Sequence, residues 1–194
     1  MLDTHGRKYV QPMILSSAKG LLKLGLSANQ VTLISFCIGV STGLLIYFGY
    51  PIIAVVVLWL SGFLDAVDGT MARLTKPSSW GTVLDVTLDR LVEISVILGL
   101  AFAFPDAMWA LLLLSVSIIF SMTVFLTVGA VSENKGMKSF HYQAGLAERT
   151  EGFILFTLMI LLANHLLLIT LIFLAVEIFT GMQRLLEARR ILKD

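Results

Sequence analysis

The sequence predicts an all-α membrane protein: a six-transmembrane-helix bundle preceded by an interfacial amphipathic helix, forming a single domain over residues 1–194. Three observations predict it. The chain is 57% hydrophobic and 14% charged, whereas soluble domains carry about 45–50% apolar and about 25% charged residues. Six stretches, near 29–49, 52–75, 81–104, 107–132, 146–164 and 166–188, reach the roughly 20 predominantly apolar residues that a span requires. Lysine and arginine collect at alternate connections between those stretches.

The element before the first span, Val10 to Leu26 within residues 1–28, places Ile14, Ala18, Leu21 and Leu22 on one helical face with Lys19 and Lys23 elsewhere. That pattern suits a helix lying in the membrane interface, and Pro12 suits a first helical turn. Spans one and two are separated by Gly49-Tyr50-Pro51, and three and four by Phe104-Pro105-Asp106; Asn164-His165 separates the last two. Glycine and proline are strong breakers of regular structure. Cys37 reads as a small membrane-core residue, and Trp59, Trp80 and Trp109 as interface anchors or packing residues and not as cofactor ligands.

Arg7, Lys8, Lys19 and Lys23 precede span one, and Arg73 and Lys76 flank the second connection. Lys135, Lys138 and Arg149 flank the fourth, and Arg184, Arg189, Arg190 and Lys193 end the chain. The other three connections have neither lysine nor arginine. The positive-inside rule then puts both termini in the cytoplasm of a multi-pass cell-membrane protein.

Acidic residues stand where a membrane span should have none. Asp65, Asp68, Asp85, Asp89 and Glu93 lie in or beside spans two and three, although a charge at the bilayer centre costs about 2.5–3.5 kcal/mol on insertion scales. Span two runs inward and span three outward, so all four aspartates reach a similar, cytoplasmic depth. Asp65 and Asp68 are spaced i, i+3 and Asp85 and Asp89 i, i+4, so each pair shares a helix face. Two such faces opposed across a hairpin make a carboxylate cage for hard cations such as Mg²⁺ or Mn²⁺. Gly69 and Gly81 fall in register with the acids and let a ligand approach the backbone. Glu93 is expected to pair with Arg90, and Glu177 to hydrogen-bond between helices.

Read as a string, Asp65-x-x-Asp68-Gly69-x-x-Ala72-Arg73, seven residues, then Gly81-x-x-x-Asp85-x-x-x-Asp89 resembles the signature of the CDP-alcohol phosphotransferase family. The Asn29-Gln30-Val31-Thr32 opening of span one is also similar. Many members have about one residue more between the arginine and the second glycine, a difference that falls in the turn carrying Pro77. The resemblance implies that Asp65, Asp68, Asp85 and Asp89 hold two divalent ions, with Asp89 also the general base on the acceptor hydroxyl. It implies that Asp68, Gly69, Ala72, Arg73, Gly81, Thr32 and Asn29 line the CDP site. It further implies a CDP-linked lipid donor, foremost CDP-diacylglycerol, a small alcohol or phospho-alcohol acceptor, release of CMP on the cytoplasmic side, and a homodimer, with membrane lipids but no nucleic acid as partners. Arg149, Arg184, Lys138 and His141 are the candidates for the acceptor. A CDP-headgroup donor with a lipid alcohol acceptor is the variant within the family. An intramembrane prenyltransferase would carry its acids on separated helices, and an ion or proton transporter would show internal repeats.

Overall fold

The computed structural model describes residues 2–131 and 149–192. Among them the structure is helical with no strand: α1 (Leu2–Lys23), α2 (Ala28–Tyr47), α3 (Pro51–Leu74), α4 (Ser79–Ala103), α5 (Met108–Val131), α6 (Arg149–Leu161) and α7 (Leu166–Ile191). One-turn 3₁₀ helices at Pro105–Ala107 and Ala163–His165 precede α5 and α7. The chain divides into two compact units, Thr4–Pro105 and Asp106–Asp194 with Met1–Asp3.

The breakers act where the sequence places them. Gly49 takes φ +78°, and Pro51 opens α3. A second left-handed glycine, Gly25 at φ +82°, turns the chain from α1 into α2. Such a backbone costs glycine nothing for want of a Cβ. Ser27 then starts α2 through a capping box: its hydroxyl accepts from Gln30 N at 3.3 Å while Gln30 Oε1 accepts from Ser27 N at 2.9 Å.

Among the described residues, four helices are long and apolar enough to cross a membrane: α2, α3, α5 with its 3₁₀ lead-in, and α7 with its own. The chain is therefore a multi-pass membrane protein. Of the other two expected spans, α4 has 25 residues but carries Asp85, Asp89, Arg90 and Glu93, which depress its hydropathy. The fifth is described as α6, 13 residues from Arg149.

In the first unit, α2 packs along both α3 and α4. Small residues permit the contact with α4: a Cβ on Gly43 would stand 2.2 Å from the Ser95 carbonyl oxygen, and one on Gly99 2.4 Å from that of Gly43. These are backbone-to-backbone approaches of the small-xxx-small kind. Ser35 Oγ donates to Ser61 O at 2.8 Å, tying α2 to α3. Helix α1 buries Ile14 and Ala18 against Val31, Val67 and Met71, with Leu21 and Leu22 partly buried alongside, so the expected apolar face does pack inward. It differs in starting at Leu2, which puts Pro12 inside the helix and not in its first turn. Cys37 is on the exposed face of α2, and the three tryptophans are exposed.

In the second unit, α5 and α7 pack closely. A Cβ on Gly181 would meet the Phe120 ring at 2.5 Å, and Val124, Val128 and Ala188 form a buried cluster. Phe156 of α6 meets Phe173 of α7 edge to face with centroids 5.2 Å apart.

Candidate metal and substrate site

The acids converge on the hairpin made by α3 and α4. Asp65, Asp68 and Asp85 each offer one carboxylate oxygen, and the three oxygens lie within 4.8 Å of one another. Asp68 is 3% exposed, and the other two are half-buried. Two α3 residues three apart face one α4 residue because they share a helical stripe. Three carboxylates at this separation repel strongly in a medium of low dielectric constant, and a cation among them offsets the repulsion. The spacing fits one, since two oxygens on a single hard ion stand at most about twice the metal–oxygen distance apart, roughly 4–5 Å for ions of the Mg²⁺ to Ca²⁺ kind. An all-oxygen donor set also suits Mg²⁺ or Mn²⁺.

Asp89 is not part of that close group. It is half-buried on α4, one turn or about 6 Å of rise beyond Asp85. The next acid along, Glu93, is bound to Arg90 Nη1 through Oε2 at 2.5 Å, the pairing the sequence suggested. That ion pair draws the charge of Glu93 toward its own helix.

Arg73 is exposed and lies back along α3. Its Nη2 donates to Thr70 Oγ1 at 2.9 Å, and Thr70 Oγ1 donates to Ala66 O at 3.0 Å. The guanidinium thus rests over Gly69, where an added Cβ would find Nη1 at an ordinary 3.6 Å. Packing therefore does not require glycine at 69. Position 81 is tighter: a Cβ there would stand 3.0 Å from Asn29 Oδ1 and 3.1 Å from Ser78 Oγ, so those side chains would have to give by a few tenths of an ångström. The two glycines, expected to serve one purpose, differ in what surrounds them.

The structure also brings Asn29 to the start of α4, where Ser78 caps the helix by accepting from Gly81 N at 3.0 Å. A cavity of about 410 Å³ opens here, lined in part by Ser27, Ala28, Asn29, Thr75, Lys76 and Ser78. That is within the size range of small-molecule sites. Thr32 is buried one turn along α2, with its hydroxyl donating to Ala28 O at 3.1 Å. Ala72 is half-buried on α3. Sequence reasoning missed Ser27, Thr70, Lys76 and Ser78. The serines stand just before helices, where N-caps belong, and Thr70 is three residues from Arg73, so the signals were present.

Among the acceptor candidates, Lys138 and His141 lie outside the described residues, as does Lys135. Arg149 has its guanidinium carbon 5.5 Å from the centroid of the Phe153 ring. Arg184 is 7% exposed, donates from Nη1 to Ser121 Oγ at 3.1 Å and stacks over Phe125. Glu177 is half-buried on α7.

Comparison with known proteins agrees with this architecture. The inner membrane protein YnjF of Escherichia coli is 32% identical over 170 residues, covering 81% of each chain. The phosphatidylinositol phosphate synthase of Corynebacterium glutamicum is 34% identical over 161 residues, 79% of this chain and 71% of that one. The phosphatidylinositol phosphate synthase of Mycobacterium tuberculosis has a similar fold. Its crystal structure with manganese and citrate superposes with a TM-score of 0.75 at 25% identity, covering 90% of this chain and 88% of that one. Its structure with CDP-DAG bound gives 0.77 at 24% identity, over 92% and 94%. The model of the CDP-alcohol phosphatidyltransferase family matches residues 26–183, a range that holds the whole aspartate hairpin. The chain belongs to the CDP-alcohol phosphatidyltransferase family and is a membrane-embedded transferase of that class.

Proposed function

We propose that this enzyme transfers the phosphatidyl group of CDP-diacylglycerol to a phosphorylated sugar alcohol of the inositol phosphate kind, releasing CMP. The observation that carries the reading is the convergence of Asp65, Asp68 and Asp85 within 4.8 Å on a hairpin bearing the family's motif. The choice of donor and acceptor is supported by the relatives, which include phosphatidylinositol phosphate synthases and a structure with CDP-DAG bound.

In this reading Asp65, Asp68 and Asp85 hold two divalent ions, Mg²⁺ or Mn²⁺, with Asp89 beside them. Bound there, the ions offset the diphosphate charge and polarise the phosphorus under attack. Arg73, steadied by Thr70, makes charge-assisted hydrogen bonds to the diphosphate. The bare face of Gly69 admits the phosphates close to the α3 backbone. Asn29, Thr32, Asp68, Ala72 and Gly81 shape the remainder of the CDP site, and the cavity at the head of α2 receives the nucleoside. Asp89 takes the proton from the acceptor hydroxyl as its oxygen forms the new bond to phosphorus. The bond from that phosphorus to the CMP oxygen breaks, and CMP leaves with the electron pair. Arg149 and Arg184, with Lys138 and His141, bind the acceptor's phosphate.

The same reading takes α4 and the segment ending in α6 as spans, giving six, with α1 in the interface. At 25 residues α4 is about 37 Å long, enough to cross a hydrocarbon core of about 30 Å. Both termini and the site face the cytoplasm, residues 1–194 act as one domain, and the enzyme works as a homodimer. The test is CMP release from radiolabelled CDP-diacylglycerol by the purified protein in nanodiscs with Mn²⁺ or Mg²⁺, against inositol phosphate, glycerol phosphate and free inositol. Release that needs both metal and inositol phosphate is expected. Equal release with free inositol would overturn the assignment of a phosphorylated acceptor.

A further inference from the structure

Arg184 is a cation drawn into the protein. An arginine that merely anchored the end of a span would extend its stem outward and leave its head among lipid headgroups. This one is 7% exposed and directed at α5, where Ser121 is 2% and Phe125 8% exposed. Its Nη1 donates to Ser121 Oγ at 3.1 Å, and its guanidinium carbon stands 5.0 Å from the centroid of the Phe125 ring. Ser121 and Phe125 are four apart and so share one face of α5. Gly181, one turn before Arg184 on α7, makes room for the arrangement: a Cβ there would lie 3.3 Å from Ser121 Cα as well as striking Phe120. The α7 backbone is therefore drawn against α5 where the arginine must reach across.

We propose that Ser121 and Phe125 are positioning residues for acceptor recognition, fixing the Arg184 guanidinium for a phosphate monoester. The inference rests on the reading above, in which Arg184 binds the acceptor's phosphate. Neither a hydroxyl nor a ring face carries a negative charge, so these two contacts orient the guanidinium without themselves neutralising it. The fork of five donors suits bidentate contact with phosphate. A head already fixed in place loses less freedom on binding than a mobile one.

The test is steady-state kinetics of the full-length enzyme in nanodiscs, with the Michaelis constants for inositol phosphate and CDP-diacylglycerol measured separately. Ser121→Ala should raise the constant for inositol phosphate about tenfold, the factor expected for one hydrogen bond to a charged group. The constant for CDP-diacylglycerol and kcat should hold, the mark of lost substrate binding and not of lost chemistry. Ser121→Thr, which keeps the hydroxyl, should restore it. Phe125→Leu, which keeps an apolar side chain, should raise it about threefold. In an Arg184→Ala background Ser121→Ala should add nothing. If Arg184→Ala raises the inositol phosphate constant but Ser121→Ala and Phe125→Leu do not, positioning is refuted while the acceptor reading stands. If Arg184→Ala itself leaves that constant unchanged, the acceptor reading of Arg184 fails. Equal rises for donor and acceptor, or an effect of Ser121→Ala that persists without Arg184, would reduce the contact to packing and overturn the proposal.

Discussion

Asn29 on α2 and Gly81 on α4 meet beside the turn that closes the aspartate hairpin, where a Cβ on the glycine would stand 3.0 Å from the asparagine's Oδ1. Gly69, on the facing helix, has no such neighbour beyond the tip of Arg73. A methyl group at the two positions should therefore act differently. Gly69→Ala should fold with an unchanged melting temperature yet weaken CDP-diacylglycerol binding at least tenfold, because on the proposed reading that face admits the diphosphate. Gly81→Ala should lower both, since Asn29 and the Ser78 cap must give way, at a cost of about 1–3 kcal/mol. Thermal unfolding and donor-binding measurements on the two variants check this; identical behaviour would refute the distinction.

Asp68 is the most buried member of the close carboxylate group. Asp68→Ala should abolish Mn²⁺ binding by calorimetry and donor binding with it. Nucleotide affinity that survives the loss of metal would show that the two sites are separate.

Asp89 stands apart from that group and should behave as a base. Asp89→Asn should cut kcat by about 10²–10⁴-fold, the usual contribution of proton transfer by a positioned side chain. Binding of CDP-diacylglycerol should stay within a few-fold of the parent. Turnover at the parental rate would remove Asp89 from proton transfer.

At Gly43 and Gly99 the contact of α2 with α4 is backbone against backbone, with no flexible side-chain tip to yield. Gly43→Ala places a Cβ 2.2 Å from the Ser95 carbonyl oxygen, so the helices must separate. A loss of about 2–3 kcal/mol is expected, read as a lower melting temperature in detergent. An unaltered melting temperature would mean that α2 and α4 can part without cost.

The hairpin was legible in the sequence because charge inside an apolar run is costly and i, i+3 and i, i+4 spacings translate directly into a shared face. The same argument could not place Asp89 outside the close group, since that depends on how α3 and α4 are turned about their axes. The fate of Arg184 was hidden for a related reason. Helix α5 averages 2.5 in hydropathy over its candidate span, nearly uniform around its circumference, so nothing in its pattern marked the Ser121 and Phe125 face as the inner one. Span count was legible from hydropathy where helices are plainly apolar, as in α2 and α7. It was least so in α4, where Asp85, Asp89, Arg90 and Glu93 lower the hydropathy of a 25-residue helix. The start of α1 was missed because residues 2–9 carry no apolar periodicity, and Pro12 offered a false beginning.

The glycine contacts along α2 also bear on biogenesis. A helix bearing Asp85, Asp89, Arg90 and Glu93 is a poor candidate for solitary entry into lipid from the translocon, at about 2.5–3.5 kcal/mol for each such acid near the bilayer centre. Helix α2 is emitted earlier and is apolar enough to settle unaided, and it presents Gly43 as a landing strip for Gly99. On the proposed reading of α4 as a span, the charged helix can then be accepted as a passenger alongside a neighbour already in place, which spares the proposed site residues a stage alone in lipid.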